Sequence, residues 1–260
     1  MITKMSPVGV FDSGVGGISV LKELVRLLPG EDFIFLGDEK NAPYGTKTAE
    51  EVRRYSFDNV DLLRKRDVKA IVIACNTATG AAVKELRGRF PDFPIIGTEP
   101  AIKPAVEKHP GGHVIVMATP VTIKNKKFKD LLEKFDGQAC ITPLPCPGLM
   151  EFVERGIFDG PELDDYLNDL FKGLDVGESD AIVLGCTHYP FVKNAVRSAA
   201  GPRPEILDGG EGVARELKRK LKEKDMLNSS GNNGRVTFLT TALDCIQDKK
   251  RFMEELLKKH

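Results

Sequence analysis

An excess of charge of either sign is missing from this sequence: 38 basic side chains balance 38 acidic ones. That balance offers no electrostatic footprint for a nucleic-acid backbone. The densest basic stretch, Lys124-Asn125-Lys126-Lys127-Phe128-Lys129, reads as a solvated helix face rather than a phosphate-binding surface. Long apolar runs are missing too. Hydrophobic segments stop at strand length, which excludes a membrane-spanning helix, and residues 1–10 lack the apolar core of a signal peptide. Cysteine is sparse and odd in number, five in all, so free thiols in a reducing cytoplasm are expected rather than a disulfide framework. Histidine is scarcer still, four residues with His260 last in the chain and His109 beside a turn. Cys140, Cys146, Cys186 and His188 show no paired Cys-x2-Cys or His-x3-His spacing, so no metal site is expected. The dinucleotide fingerprint also fails. Gly14-Val15-Gly16-Gly17-Ile18-Ser19 has Ser where the third Gly or Ala belongs, and acidic Asp12 would crowd a pyrophosphate. Asp38 stands where a ribose-binding acid would, but without that fingerprint a nucleotide-dependent oxidoreductase is disfavoured.

Two stretches that nearly repeat each other organise what is present: Ala70-Ile71-Val72-Ile73-Ala74-Cys75-Asn76-Thr77 and Ala181-Ile182-Val183-Leu184-Gly185-Cys186-Thr187-His188. A run that is apolar at every position is buried on both faces, as in a central parallel strand. Ligands of open α/β sheets bind beyond the carboxyl ends of the strands. One cysteine there is most often only a small hydrophobe. Two at matched positions, each followed by hydrogen-bonding side chains, point instead to chemistry. They imply two similar lobes facing one pocket, each supplying a thiol.

In chain order the pattern predicts strands at Val8–Phe11, Phe33–Leu36, Ala70 onward and Pro94–Ile96. Helices are expected from Ile18 to Pro29, from about Thr48 to Arg66 with a Thr48/Glu51 capping box, and over Ala78–Arg89. After Thr98-Glu99-Pro100 the pattern restarts. Strands are expected at Val114–Ala118, Ala139–Thr142, Ala181–Leu184 and Glu205–Leu207. Thr119 should cap a helix, Pro143–Pro147 should be a loop, and helices should carry Glu151 with Glu154, cover Pro161–Lys172, and follow Pro190. The tail, with a helix near Glu211–Lys222, a strand at Val236–Leu239 and a last helix near Lys249–Lys258, should fold back on the first lobe. Asn228–Gly234 reads as a mobile loop. The expected architecture is α/β, two pseudo-symmetric lobes each built on a parallel sheet, with the active site in the cleft between them. Residues 1–97 and 208–260 form one lobe and 98–207 the other.

Cys75 acting alone as an acyl-transfer nucleophile would leave Cys186 without a task. Giving both thiols one job, taking and giving a proton at a single carbon from opposite sides, uses both. An ordinary thiol, with a pKa near about 8.5, is only a few per cent ionised at neutral pH, and poising it there needs about 2 kcal/mol of differential stabilisation. Backbone N–H groups at the helix start after each cysteine, with Asn76, Thr77 or Thr187, are the expected source. Asp12 and His188 are suited to relaying or orienting the thiol proton.

Asp12-Ser13-Gly14, Pro43-Tyr44-Gly45, Ala74-Cys75-Asn76-Thr77-Ala78 and Gly185-Cys186-Thr187-His188-Tyr189-Pro190 together resemble the glutamate racemase family, from about residue 8 to Asp208. Thr119-Pro120-Val121-Thr122 and Glu154-Arg155-Gly156 fall in place with them. The resemblance implies a cofactor-independent enzyme that interconverts L- and D-glutamate for peptidoglycan synthesis, cytoplasmic and homo-oligomeric, as a dimer. It implies Cys75 and Cys186 as the catalytic acid/bases, with Asp12, Glu154 and His188 as auxiliary groups. It implies substrate contacts from Asp12, Ser13, Pro43, Tyr44, Gly45, Asn76, Thr77, Thr187 and His188, with Thr119 and Thr122 also holding carboxylates. Glu39-Lys40 and Thr240-Thr241 depart from the family pattern. Aspartate racemase is the near alternative, and a regulatory protein that contacts a partner such as DNA gyrase the distant one.

Overall fold

The computed structural model describes residues 2–259. The chain opens with β1 (Val8–Asp12), α1 (Ile18–Leu27), β2 (Phe33–Gly37), a 3-10 turn at Tyr44–Thr46, α2 (Ala49–Arg64), β3 (Ala70–Ile73), α3 (Asn76–Arg89) and β4 (Ile95–Gly97). It continues through α4 (Ile102–Lys108), β5 (His113–Ala118), α5 (Pro120–Lys124), α6 (Lys126–Glu133), β6 (Cys140–Pro145), α7 (Leu149–Glu154) and α8 (Pro161–Phe171). Then come β7 (Ala181–Leu184), a 3-10 turn at Tyr189–Val192, α9 (Lys193–Ala200), β8 (Glu205–Asp208), α10 (Gly210–Glu223), β9 (Val236–Thr240) and α11 (Ile246–Lys258). Contacts divide the chain into two units, one joining the residues up to Thr98 with those from Gly210 onward, the other Glu99–Gly209.

The first unit holds a parallel sheet in the order β4-β3-β1-β2-β9, the second a parallel sheet in the order β6-β5-β7-β8. Written from its other edge, the second sheet runs β8-β7-β5-β6, which matches β4-β3-β1-β2 strand for strand. The near-repeat of the two cysteine stretches is therefore a repeat of topology. β9 is the addition, and it pairs with β2 from Phe33↔Val236 to Gly37↔Thr240. Every residue of β3 and of β7 is buried, as strands covered by helices on both faces must be. Ile18, Leu21 and Leu24 give α1 a buried stripe that packs on α10, whose own stripe is Val213, Ala214, Leu217 and Leu221.

The capping box forms as expected. Thr48 accepts from the Glu51 N–H, and the Glu51 carboxylate accepts from the Thr48 N–H at 2.9 Å. Thr119 caps α5 through the Thr122 N–H. Three expectations need correcting. The Pro143–Pro147 loop is in its first half strand, because β6 runs through Pro145 and pairs with β5 to Ala118↔Pro145. β6 is an edge strand, where a missing N–H costs no ladder bond. α4 was not expected; its Pro104 sits in the first turn, where proline is tolerated. α3 begins at Asn76, not Ala78, with Cys75 as its cap. The helix expected after Pro190 is α9, which begins at Lys193 behind a 3-10 turn.

Asn228–Gly234 has no regular element, but both of its ends are tied to the Pro29–Glu31 turn. The Gly234 N–H donates to Pro29 O at 2.7 Å and the Asn228 N–H to Glu31 Oε1 at 2.8 Å. Glu31 is paired with Lys69 at 2.5 Å, both buried. The basic stretch behaves as a helix face, with Lys126 paired to Asp130 and Lys127 to Glu99.

Candidate active site

Strand register explains which side chains meet. In the first unit Phe11 pairs with Ile73, so two residues further on Ser13 lies opposite Cys75. Their Oγ and Sγ are 3.6 Å apart. In the second unit Met117 pairs with Leu184, so the same count sets Thr119 opposite Cys186. Each sheet thus brings a hydroxyl residue level with a cysteine at its carboxyl end. Both cysteines are nearly buried, at 6% and 8% exposed, which limits water around the sulfur without closing off a ligand.

Glycines let the chain come close at these strand ends. A Cβ on Gly17 would lie 2.6 Å from Asp12 Cβ, so the glycine-rich turn after β1 serves packing of α1 on the strand. A Cβ on Gly185 would lie 2.8 Å from Met117 O, to which the Gly185 N–H donates at 2.7 Å.

The surroundings of the two thiols differ. Cys75 is the N-cap of α3 and accepts from the Ala78 N–H at 3.4 Å, so the positive end of the helix faces its sulfur. Asn76 and Thr77 form the first turn of α3. The Asn76 Oδ1 is buried and has no hydrogen-bond partner, an acceptor waiting for a donor. Asp12, fully buried at the end of β1, accepts from the Gly14 N–H at 3.2 Å. Pro43 leads into the 3-10 turn that carries Tyr44 and Gly45. Tyr44 is fully buried, and its hydroxyl donates to Asp38 at 2.5 Å. Burial first, then the charges of Asp38, Cys75 and Asp12, push the phenol far above its ordinary value and keep it neutral.

Cys186 is served by a side chain instead of a helix end, contrary to expectation. Its Sγ lies 3.7 Å from His188 Nδ1, and His188 Nε2 lies 2.8 Å from Glu154 Oε1, the last residue of α7. Thr187 Oγ1 is 3.5 Å from the same Nδ1. Burial works against charge on His188, but its hydrogen bonds to Cys186 and Glu154 outweigh it, so the imidazole pKa is raised well above its ordinary value. Cys186, His188 and Glu154 are thus a relay in which the ring can hold a proton between a thiol and a carboxylate. Thr119 and Thr122 join each other at 2.9 Å.

Most sequence-chosen residues fall at the carboxyl end of their own sheet or in the turn or first helical turn that follows, while Glu154 is brought in by the end of α7. Asp12, Ser13, Tyr44 and Cys75 gather in the first unit, Glu154, Thr187, His188 and Cys186 in the second. Three neighbours escaped the sequence. Cys146 is buried, and burial, then the nearby Cys186, push its thiol up to about 12. Its carbonyl accepts the Tyr189 hydroxyl at 3.2 Å. Asn59 on α2 donates to the Tyr44 hydroxyl at 3.1 Å. Helix spacing alone shows only that Asn59 lies on a buried face. Among the described residues no three His, Cys, Asp or Glu side chains are grouped to hold a metal, and no helix is long and apolar enough to cross a membrane.

Each of the two parallel sheets ends in a thiol, one capping a helix and the other beside a histidine–carboxylate relay, and each of these arrangements is suited to moving a proton. The chain belongs to the Asp/Glu/hydantoin racemase family, whose model matches residues 8–217. Within that family it is similar to glutamate racemases. The protein of that name from Clostridium novyi (strain NT) is 50% identical over 256 residues, 98% of each chain. The solved structure of a glutamate racemase isoform from Bacillus anthracis matches with a TM-score of 0.86 at 31% identity, over 99% of this chain and 96% of that one. The enzyme from Francisella tularensis subsp. tularensis SCHU S4, solved with D-glutamate, matches with a TM-score of 0.83 at 28% identity, over 99% and 95%.

Proposed function

We propose that this chain interconverts L- and D-glutamate by direct proton transfer at the α-carbon, with Cys75 and Cys186 as the two acid/bases. The observation that carries the reading is the matched pair of strand-end thiols, each held against a proton-handling or charge-stabilising group. The α-C–H is a very weak acid, so the carbanion-like transition state needs close hydrogen bonds in a dry site. One thiolate takes the α-proton as the other thiol gives its own to the opposite face, and their protonation states are exchanged. By family resemblance Cys186 takes the proton from L-glutamate and Cys75 from D-glutamate. Ser13, Thr77, Thr119, Thr122, Thr187 and the main-chain amides after each strand are the proposed carboxylate donors. The orphan Asn76 Oδ1 supports a contact with the substrate ammonium, which supplies donors. Asp12, His188 and Glu154 are the auxiliary proton groups, and Pro43, Tyr44 and Gly45 the turn beside the substrate. No cofactor is required in this reading.

The same reading takes residues 1–97 with 208–260 as one lobe and 98–207 as the other, and it requires both thiols to reach one α-carbon. It also includes, from the resemblance, a homodimer in the cytoplasm. The test is circular dichroism of L-glutamate incubated with protein stripped of metal and free of added pyridoxal phosphate or nucleotide. Optical activity should decay to zero, and L-aspartate should react far more slowly. Equal turnover of aspartate would overturn the substrate, and a strict metal requirement the mechanism.

A further inference from the structure

The end of β2 carries a buried acid that proton transfer does not use. Asp38 is 1% exposed, and its carboxylate collects donors from four side chains on three pieces of chain. The Tyr44 hydroxyl donates to Oδ2 at 2.5 Å and the Asn59 amide to the same oxygen at 3.1 Å. The Asn41 amide donates to Oδ1 at 3.0 Å and Oδ2 at 3.1 Å, and the Thr241 hydroxyl to Oδ1 at 2.7 Å. An ionised carboxylate only accepts, so every one of these groups must present its N–H or O–H to it. The Asp38 main-chain N–H donates to the carbonyl of Asp12 at 2.9 Å.

This acid therefore joins three parts of the molecule: Asp12 at the end of β1, the Tyr44–Gly45 turn, and Thr241 just past β9. The Tyr44 hydroxyl is spent on Asp38 and Asn59, so what the turn offers a ligand is its main chain, held in a fixed place. Thr241 directly follows the strand by which the first sheet exceeds the second, and belongs to the segment that departs from the family pattern.

We propose that Asp38 is a positioning residue of the Cys75 half-site, fixing the Tyr44–Gly45 turn for substrate, and that Thr241 couples the C-terminal strand to that task. This rests on the racemase reading. A buried acid that merely braced the fold would change melting temperature and leave substrate affinity alone; a positioning acid changes KM for both isomers, because the turn does not distinguish them.

The experiment measures KM and kcat for L- and D-glutamate on variants checked as folded by circular dichroism. Asp38→Asn sets an amide NH2 against the donors it faces. It should raise KM for both isomers about 10-fold, with kcat falling less, since one hydrogen bond to a charged group is worth roughly that much. In a Tyr44→Phe background, Asp38→Asn should add less than about 3-fold, because the two act through one turn. Thr241→Val keeps the shape and loses the donor, so KM should rise about 3-fold for both isomers, and Thr241→Ser should restore it. If Asp38→Asn does not fold, Thr241→Val decides. Unchanged KM in Thr241→Val, or effects of Asp38→Asn and Tyr44→Phe that multiply in full, would overturn the inference. A wild-type protein that fails to racemise glutamate in the same assay overturns the racemase reading itself, and the inference with it.

Discussion

Replacing Cys75 or Cys186 by alanine is expected to abolish racemisation of both glutamate isomers, by at least about 10⁴-fold in kcat, while the protein melts within a few degrees of wild type. Each direction needs one base and one acid, so losing either thiol stops both directions. General acid–base assistance by one positioned group is worth about 10²–10⁴, and in the two-thiol reading the missing group is also the acid/base for its face of the carbon. Both cysteines lie beyond the last paired residues of β3 and β7, so removing their sulfurs leaves the β1/β3 and β5/β7 ladders intact. Serine at either position leaves an alcohol far too weakly acidic to exchange roles with a thiol. It should slow both directions, and unequally, because the half-sites differ: a helix N-terminus serves Cys75 and an imidazole serves Cys186. Activity assays in both directions, paired with thermal melts, check this. A Cys186→Ala protein that still racemised would sink the two-thiol reading.

His188→Asn and Asp12→Asn should each lower kcat by about 10²-fold or more with little change in melting temperature. His188 touches the thiol on one side and Glu154 on the other, so the variant breaks the relay at its centre. The protonation state gives an independent check. The folded-state pKa of His188 is raised, so the ring should keep its proton to a higher pH than an ordinary histidine does. Nitrogen NMR of the ring across a pH series should show this as a delayed deprotonation. Glu154→Gln removes one of the groups that outweigh burial, so the ring should lose its proton at lower pH than in wild type. A wild-type His188 that titrates no higher than an ordinary histidine, or near-normal kcat in both variants, would remove these residues from the mechanism.

The strands were legible because burial on both faces leaves a direct mark: Ala70–Ile73 and Ala181–Leu184 are apolar at every position. Thr48 with Glu51, and Thr119 before Pro120, mark helix starts through local chemistry, and local chemistry survives in sequence. β6 was cut short because Pro143 and Pro145 look like loop residues unless one knows that the strand lies at an edge. α4 went unread, although its proline falls in the first turn, where it is harmless. The thiols and their flanking polar residues were visible as motifs, but their partners were not. His188 meets Glu154 across 34 positions, and Thr241 meets Asp38 across 203. No spacing rule reaches that far. Asp38 shows the cost, since its place after β2 first reads as a ribose-binding acid, and only its donors reveal a hub for the Tyr44 turn. The expectation of a helix end at each thiol failed at Cys186, where Pro190 and the 3-10 turn delay the α-helix and an imidazole stands in its place.

Isotope incorporation at early times tests the two-thiol transfer most directly. L-glutamate and protein are mixed in D₂O, and α-deuterium is read by NMR or mass spectrometry in both isomers at a few per cent conversion. The abstracted proton stays on Cys186 while a deuteron comes from Cys75, so the D-isomer should carry deuterium and recovered L-glutamate should remain protonated. Starting from D-glutamate, the pattern should reverse. Deuterium accumulating in recovered substrate before product appears would mean one exchanging base serves both faces, and would contradict the account.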